Sequence, residues 1–217
     1  MEEPVSQDHL SSSLTDLMTS LMVIFILLLL VFVQRTAGQD PAVAEELRQM
    51  LRNELTPKSF KDVAITRDRN VILVVVPNRL MNFKTGESTL KPEGEQFLRQ
   101  YIPDFAEVVC RPKFRASVES IVVEGHTDKQ PYPGLSPAES ENRNLKLSQD
   151  RSMEVVKNAL ADLSANESDR ACFLDKLSAS GRGERDSEHL SDEESRRVIL
   201  KIRVKVVDEK STQVHVQ

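Results

Sequence analysis

A charge-free and mostly apolar stretch, residues 17–33, lies near the start of the chain and limits what this chain can fold into. It predicts a helix over residues 14–33 that is about 30 Å long at ~1.5 Å per residue, which matches the hydrocarbon core of a bilayer. The tail before it, residues 1–13, is acidic and has no Lys or Arg, whereas a secretory signal begins with basic residues. The stretch therefore predicts a single transmembrane anchor rather than a cleaved signal peptide.

One carboxylate, Asp16, lies at the N-terminal edge of this stretch. An ionisable residue in a membrane span costs about 2.5–3.5 kcal/mol on insertion scales, and the residues that are retained usually handle ions. Thr19 and Ser20 share a helical face with Asp16 at about 100° per residue, and small hydroxyl residues let another helix approach closely. Asp16 is thus a candidate proton carrier and Thr19 and Ser20 are candidate pore-lining residues. The alternative is that Asp16 caps the helix at the headgroup level.

After residue 33 the chain is polar and has no second apolar run, so it has room for one ordinary domain. The formal net charge of −5 is spread over interspersed charges without a basic, aromatic-rich tract, which argues against nucleic-acid binding. Cys110 and Cys172 are far apart and lack a neighbouring His, so no zinc site is expected. From the sequence alone they are either a disulfide or two buried thiols. Arg35 directly after the span would place the domain in the cytoplasm by the positive-inside rule.

Alternating patterns in the polar part predict a small layered domain. A helix is expected over 40–55, with Asp40 as N-cap and Pro41 at the first position. Its modest apolar stripe packs either on its own domain or against a membrane or partner pore. Strands are expected over 70–76, 120–125 and 197–206, and helices over 92–109, 145–163 and 169–177. This interleaving predicts helices on one face of a small sheet.

Four ordered motifs in the second half resemble the OmpA-like peptidoglycan-binding domain. They are residues 121–128 (Ile-Val-Val-Glu-Gly-His-Thr-Asp), 144–151 (Asn-Leu-Lys-Leu-Ser-Gln-Asp-Arg), 179–184 (Ala-Ser-Gly-Arg-Gly-Glu) and 196–198 (Arg-Arg-Val). The resemblance covers about residues 71–206. It implies an α+β fold, a βαβαβ-type two-layer sandwich over 70–207, preceded by a linker with the amphipathic helix over 34–69 and followed by a tail over 208–217.

The resemblance also implies a binding site for the diaminopimelate residue of the peptidoglycan stem peptide. Asp128 would bind its ammonium and Arg151 its carboxylate, since a guanidinium fork suits bidentate carboxylate recognition. Asn144 would add an amide donor and acceptor, and Leu147 an apolar wall. The alternative for Asp128 and Arg151 is an internal ion pair.

The membrane segment is similar to a second family. Residues 16–22, Asp-Leu-Met-Thr-Ser-Leu-Met, resemble the membrane helix of the stator B subunits, MotB of flagellar motors and ZorB of Zorya anti-phage systems. This implies a proton-driven motor in which five copies of a multi-pass A subunit, MotA-like or ZorA-like, surround two copies of this chain. MotB tails are usually longer and basic, so the short acidic tail favours Zorya. The alternatives are a flagellar stator or a passive cell-wall tether.

A wall-binding domain must face the periplasm, which overrides the signal from Arg35. The resemblance therefore implies a single-pass protein of the bacterial inner membrane with residues 1–13 in the cytoplasm. An oxidising periplasm favours a Cys110–Cys172 disulfide. We expect no cofactor, metal or catalytic residue, because His126 has no accompanying nucleophile or H-E-x-x-H pattern and residues 181–184 lack the Lys-Ser/Thr of a phosphate loop.

Overall fold

The computed structural model describes residues 7–37, 42–56, 60–84 and 86–205 of this protein. The chain divides into two units, Met1–Asp40 and Pro41–Gln217.

The first unit contains one long helix, α1 (Gln7–Ala37). Its segment Leu14–Phe32 is long and apolar enough to cross a membrane, with a mean hydropathy of 2.5, and no second helix of this kind occurs in the described parts of the chain. The Thr19 hydroxyl donates to the carbonyl oxygens of Thr15 (3.0 Å) and Asp16 (2.9 Å), so its hydrogen-bonding group is satisfied within its own helix. The helix includes the predicted span over residues 14–33 and extends beyond it at both ends.

A five-stranded sheet forms one layer of the second unit. Its strands are β1 (Ala64–Asp68), β2 (Val71–Pro77), β3 (Val118–Gly125), β4 (Leu177–Gly181) and β5 (Arg197–Val204), in the spatial order β1-β2-β5-β3-β4. All pairs are antiparallel except β3 with β4. A parallel pair needs a long crossover, and helices supply it here.

Seven helices accompany the sheet in the described part of this unit: α2 (Ala42–Leu55), α3 (Asn78–Met81), α4 (Pro92–Cys110), α5 (Pro112–Arg115), α6 (Pro137–Asp162), α7 (Glu167–Lys176) and α8 (Asp192–Ser195). Along β2 every second side chain is fully buried, namely Ile72, Val74 and Val76. One face of the sheet therefore carries the core and the helices that cover it. The predicted fold, an apolar N-terminal helix followed by an OmpA-like layer of sheet and helices, is confirmed.

Aromatic side chains of α4 fill much of the core. Tyr101 stacks between Phe97 (5.3 Å between ring centroids) and Phe105 (5.9 Å), and Phe105 meets Phe173 of α7 edge to face. A disulfide between Cys110 and Cys172 joins the end of α4 to α7. Packing and a covalent bond thus hold these two helices together.

Helix α2 belongs to the domain rather than to a free linker. Ala44, Leu47, Leu51 and Leu55 are all buried in the main core. Arg111 also donates two hydrogen bonds of 2.6 Å to the carboxylate of Glu54 in α2. The compact unit therefore begins at Pro41, well before the predicted domain boundary at residue 70.

Candidate functional site

A pocket of about 440 Å³ lies where strand β3 ends and helix α6 passes over it. All four side chains predicted to bind peptidoglycan line this pocket: Asp128, Asn144, Leu147 and Arg151. Its other walls include Phe83, Thr127, Tyr132 and Arg196. Two segments that are separated in the sequence thus come together at a single cavity.

Local sequence explains why α6 presents these residues. Ser136 caps the helix in a capping box with Glu139, and Pro137 occupies the first turn. Spacings of three and four residues then put Asn144, Leu147 and Arg151 on one side of the helix. The sequence placed the start of this helix too late, at residue 145, because Pro131, Pro133, Gly134 and Pro137 are typical of a loop.

Two glycines let α6 lie directly on the strands. A Cβ atom at Gly125 would lie 2.2 Å from the Ser148 carbonyl oxygen, and one at Gly181 would lie 2.5 Å from the Gln149 nitrogen. The Ser148 hydroxyl, in turn, accepts a 2.8 Å hydrogen bond from the Gly183 nitrogen. This close approach brings the polar face of α6 to the carboxyl end of β3.

Asp128 is bound by the protein on both of its carboxylate oxygens. Oδ2 accepts a 2.6 Å hydrogen bond from Nη1 of Arg196, and Oδ1 accepts from the Gln130 nitrogen at 3.3 Å. Its side chain is only 13% exposed. The ion pair that Asp128 forms in the structure is therefore with Arg196 and not with Arg151.

Arg151 is almost fully buried and holds the opposite wall of the pocket. Its Nε donates to the Glu87 carbonyl oxygen at 3.0 Å and its Nη2 to that of Lys84 at 3.5 Å. The guanidinium also lies 5.0 Å from the centroid of the Phe83 ring, in cation–π geometry. Burial lowers the pKa of Arg151, and the positive charge of Arg196 also acts to lower it. Tyr132 and Asp128 act in the opposite direction.

Arg196 bridges two carboxylates at the mouth of the pocket. Nη1 binds Asp128 and Nη2 binds Glu193 at 2.7 Å. The hydrogen bond with Glu193 raises the pKa of Arg196, and Asp128 contributes in the same direction. Sequence reasoning did not place Arg196 in the site, although it is the first residue of the fourth motif.

The remaining polar groups of the pocket are mostly satisfied by the protein. The Asn144 amide donates to Glu184 at 3.0 Å and to the Asp128 carbonyl oxygen at 3.4 Å. The Thr127 side chain is 2% exposed, and its Oγ1 has no hydrogen-bond partner within the described parts of the chain. A buried hydroxyl without a partner is unusual, and although Thr127 lines the cavity, its Oγ1 is closed to solvent.

His126 does not line this pocket. It is buried, and its Nε2 lies 3.0 Å from Oε1 of Glu124, which also binds Nζ of Lys201 at 2.6 Å. Burial acts to raise the pKa of Glu124, but the hydrogen bonds with His126 and Lys201 lower this pKa to about 2. His126 therefore serves in a buried polar cluster beside the site. Across the described ranges, no group of three or more His, Cys, Asp or Glu residues is arranged to hold a metal ion.

Part of this sequence is similar to a known protein family. Residues 82–199 match the sequence model of the OmpA family. No curated protein matches the chain by sequence.

Several solved structures are similar to this chain, and the first two below share its fold. A MotB-like protein from Desulfovibrio vulgaris is 20% identical, with a TM-score of 0.51 over 75% of this chain and 92% of that chain. The periplasmic domain of Helicobacter pylori MotB is 15% identical, with a TM-score of 0.51 over 71% of this chain and 86% of that one. The cell wall anchor of the T6SS from Pseudomonas aeruginosa has 19% identity and a TM-score of 0.47, over 73% and 97% of the two chains.

Proposed function

The chain belongs to the OmpA family, and on that premise we propose that its domain anchors a membrane complex to the cell wall by binding the peptide stem of peptidoglycan. The convergence of Asp128, Asn144, Leu147 and Arg151 on one pocket carries this proposal. The pocket acts by non-covalent binding, as the domains of this family are anchors and not enzymes.

The chemistry of the pocket suits a zwitterionic ligand. Asp128 supplies an anion for an ammonium group, and the guanidinium groups of Arg151 and Arg196 supply positive charge for carboxylates. Leu147 and the Phe83 ring provide apolar walls for the methylene groups between those charges. The volume, about 440 Å³, lies within the range of small-molecule sites and accommodates one amino-acid residue with part of its peptide.

The proposed location is the inner membrane of a bacterium. Segment Leu14–Phe32 crosses the membrane once, with residues 1–13 in the cytoplasm and the domain in the periplasm. A Cys110–Cys172 disulfide supports this orientation, because disulfides persist in oxidising compartments. Peptidoglycan lies on the same side of the membrane.

We further propose that the chain is the B subunit of an ion-driven motor. Asp16 takes up and releases protons at the contact with a MotA-like or ZorA-like A subunit, and neutralising its charge changes the preferred packing of the helices. Two copies of this chain lie within five A subunits, and each contributes one Asp16. Support comes from the sequence around Asp16 together with the fold shared with MotB-like proteins. A Zorya anti-phage system is the favoured setting, because residues 1–13 are acidic whereas MotB tails are usually basic.

The anchoring proposal is tested by co-sedimentation of the full chain, in detergent, with purified peptidoglycan sacculi. Asp128→Asn removes the anionic charge of the pocket, and we expect at least about tenfold weaker binding. The matched control is Asp150→Asn, because Asp150 lies on α6 and pairs with Lys146 at 2.7 Å outside the pocket. Equal binding of the Asp128 and Asp150 variants would contradict the proposal.

A further inference from the structure

We propose that the end of the sheet opposite the pocket binds anionic lipid headgroups at the surface of the membrane that the apolar helix crosses. Docking at this end points the pocket away from the membrane and toward the cell wall. This inference rests on the proposed membrane span, and it does not depend on which ligand the pocket binds.

Four exposed cations form a basic cluster at this end, and none has an ion-pair partner among the described residues: Arg69, Arg115, Arg203 and Lys205. Backbone hydrogen bonds join the three segments that carry them. The Val204 nitrogen donates to the Asn70 carbonyl oxygen at 2.8 Å, and the Lys205 nitrogen donates to that of Ser117 at 2.8 Å. The turn before β2, the end of β5 and the segment between α5 and β3 therefore meet at one place.

Positive charge is in excess at the basic cluster, although the chain as a whole has a net charge of −5. Two exposed acids, Asp68 and Glu119, lie beside the four cations. Each Lys or Arg near an anionic membrane surface strengthens binding by about fivefold. Because a membrane anchor keeps the domain close to the surface, a few such contacts are enough for reversible docking.

The polypeptide enters the domain at this same end. Helix α2 begins at Ala42, and Glu45 in its first turn pairs with Arg67 of β1 at 3.1 Å. Nη1 of Arg67 in turn donates to the carbonyl oxygen of Arg69 in the basic cluster at 2.9 Å. Ala42 follows Phe32, the last residue of the apolar segment, by ten positions, which an extended chain spans in at most about 35 Å. The basic cluster is therefore within reach of the membrane surface.

Strand β5 separates the basic cluster from the pocket. Arg196, which lines the pocket, directly precedes this strand, and Lys205 directly follows it. Its eight residues hold the two ends about 25 Å apart. One domain can therefore contact a membrane at one end and a ligand at the other.

An exposed leucine favours a lipid surface over an acidic protein as the partner. Leu174 is 49% exposed and lies in the last turn of α7. Two residues later, Nζ of Lys176 donates to the Val118 carbonyl oxygen at the start of β3 at 2.9 Å, so Leu174 lies at the same end of the sheet as the basic cluster. Surfaces that bind anionic membranes combine cations with apolar side chains that enter the interface.

The test uses the full chain in nanodiscs of phosphatidylcholine, either alone or with about one third phosphatidylglycerol. A fluorescent maleimide is attached to Ala116→Cys, next to the basic cluster, and energy transfer to a labelled lipid gives the docked fraction. The native Cys110 and Cys172 do not react because they form a disulfide. We expect docking in the anionic discs, release by high salt, and little docking in the neutral discs.

Substitutions then test which charges are responsible. Arg203→Gln together with Lys205→Gln removes two charges of the basic cluster, and the docking constant in anionic discs should fall by roughly 25-fold. The matched control is Lys129→Gln together with Arg185→Gln. These two exposed cations also lack an ion-pair partner in the described ranges, but they lie beside the pocket end of the sheet. The control pair should change the docking constant by less than about twofold.

The outcomes separate this inference from the proposed function. Equal docking in both kinds of disc, or equal effects of the two pairs, would overturn the inference, favour an acidic protein partner and leave the anchoring proposal intact. A chain that does not enter the discs would instead contradict the proposed membrane span. Should the first pair of substitutions prevent folding, Arg69→Gln together with Arg115→Gln removes the same charge from two other segments. An unchanged docking constant in that variant would also overturn the inference.

Discussion

Asp16 and Asp128 are carboxylates in different surroundings, and we propose a different role for each. Asp128 accepts hydrogen bonds from Arg196 and from the Gln130 nitrogen of its own domain, and it lines the pocket. Asp16 lies at the start of an apolar segment, where a charged group costs more free energy than a neutral one. If Asp16 carries protons as we propose, each uptake or release would change the cost of keeping this residue in the apolar segment.

The proposed role of Asp16 leads to a test at the level of one residue. Asp16→Asn is nearly isosteric and removes the ionisable proton, so assembly with the A subunit should persist while activity of the complex is lost. Assembly is measured by co-purification, and activity by phage protection or motility. Asp8→Asn, in the N-terminal tail, is the matched control. Full activity of the Asp16 variant would exclude the motor and leave a passive cell-wall tether.

The residues that line the pocket could be predicted from the sequence, whereas their partners within the protein could not. The motifs at Asp128 and Arg151 were sufficient to place both residues at one pocket. The partner of Asp128 is Arg196, which is 68 residues away in the sequence, and their pairing depends on the arrangement of β3 beside β5. Such a contact follows from the sheet topology and leaves no local pattern.

Secondary structure elements were predictable where their own sequence determines them. Strand β2 is a mostly β-branched run that its own sequence predicts, whereas β4 reads Leu-Ser-Ala-Ser-Gly and is not predicted. Strand β4 forms because it pairs with β3 and because Gly181 allows α6 to approach. Its structure is imposed by neighbours that a local pattern does not reveal.

Helix α2 allows a test of whether this element is part of the domain. Leu51 is fully buried, so Leu51→Ala should lower the free energy of unfolding by about 2–5 kcal/mol. Its exposed neighbour Arg52 serves as the control, and Arg52→Ala should change stability by less than about 0.5 kcal/mol. Urea unfolding of the full chain in detergent, followed by circular dichroism, measures both values. Equal stability of the two variants would mean that α2 contributes little to the core.

At the scale of the whole molecule, the proposed function combines a membrane anchor with a binding domain. The apolar helix is long enough to cross a membrane, and the pocket has the charges to hold a zwitterionic ligand. A tether of this kind transmits force only if the domain resists unfolding. The core around α4 and the disulfide that joins it to α7 meet that need.

The disulfide makes the stability of the domain depend on the compartment in which the domain lies. It joins residues that are 62 positions apart, and in the chain-entropy model constraining a loop of that length contributes about 4 kcal/mol. Replacing both Cys110 and Cys172 with Ser should therefore lower the free energy of unfolding by this amount. Adding reductant should destabilise the wild type equally and leave the double variant unchanged.

The redox state of Cys110 and Cys172 in the cell can be used to determine on which side of the membrane the domain lies. If the domain is periplasmic, Cys110 and Cys172 of wild-type protein taken directly from cells should react with a maleimide only after reduction, because the periplasm is oxidising. Non-reducing and reducing peptide maps should then differ by one cross-linked pair. Free thiols in untreated cells and identical maps would place the domain in the reducing cytoplasm, where it could not reach the wall, and would remove the basis of the anchoring function.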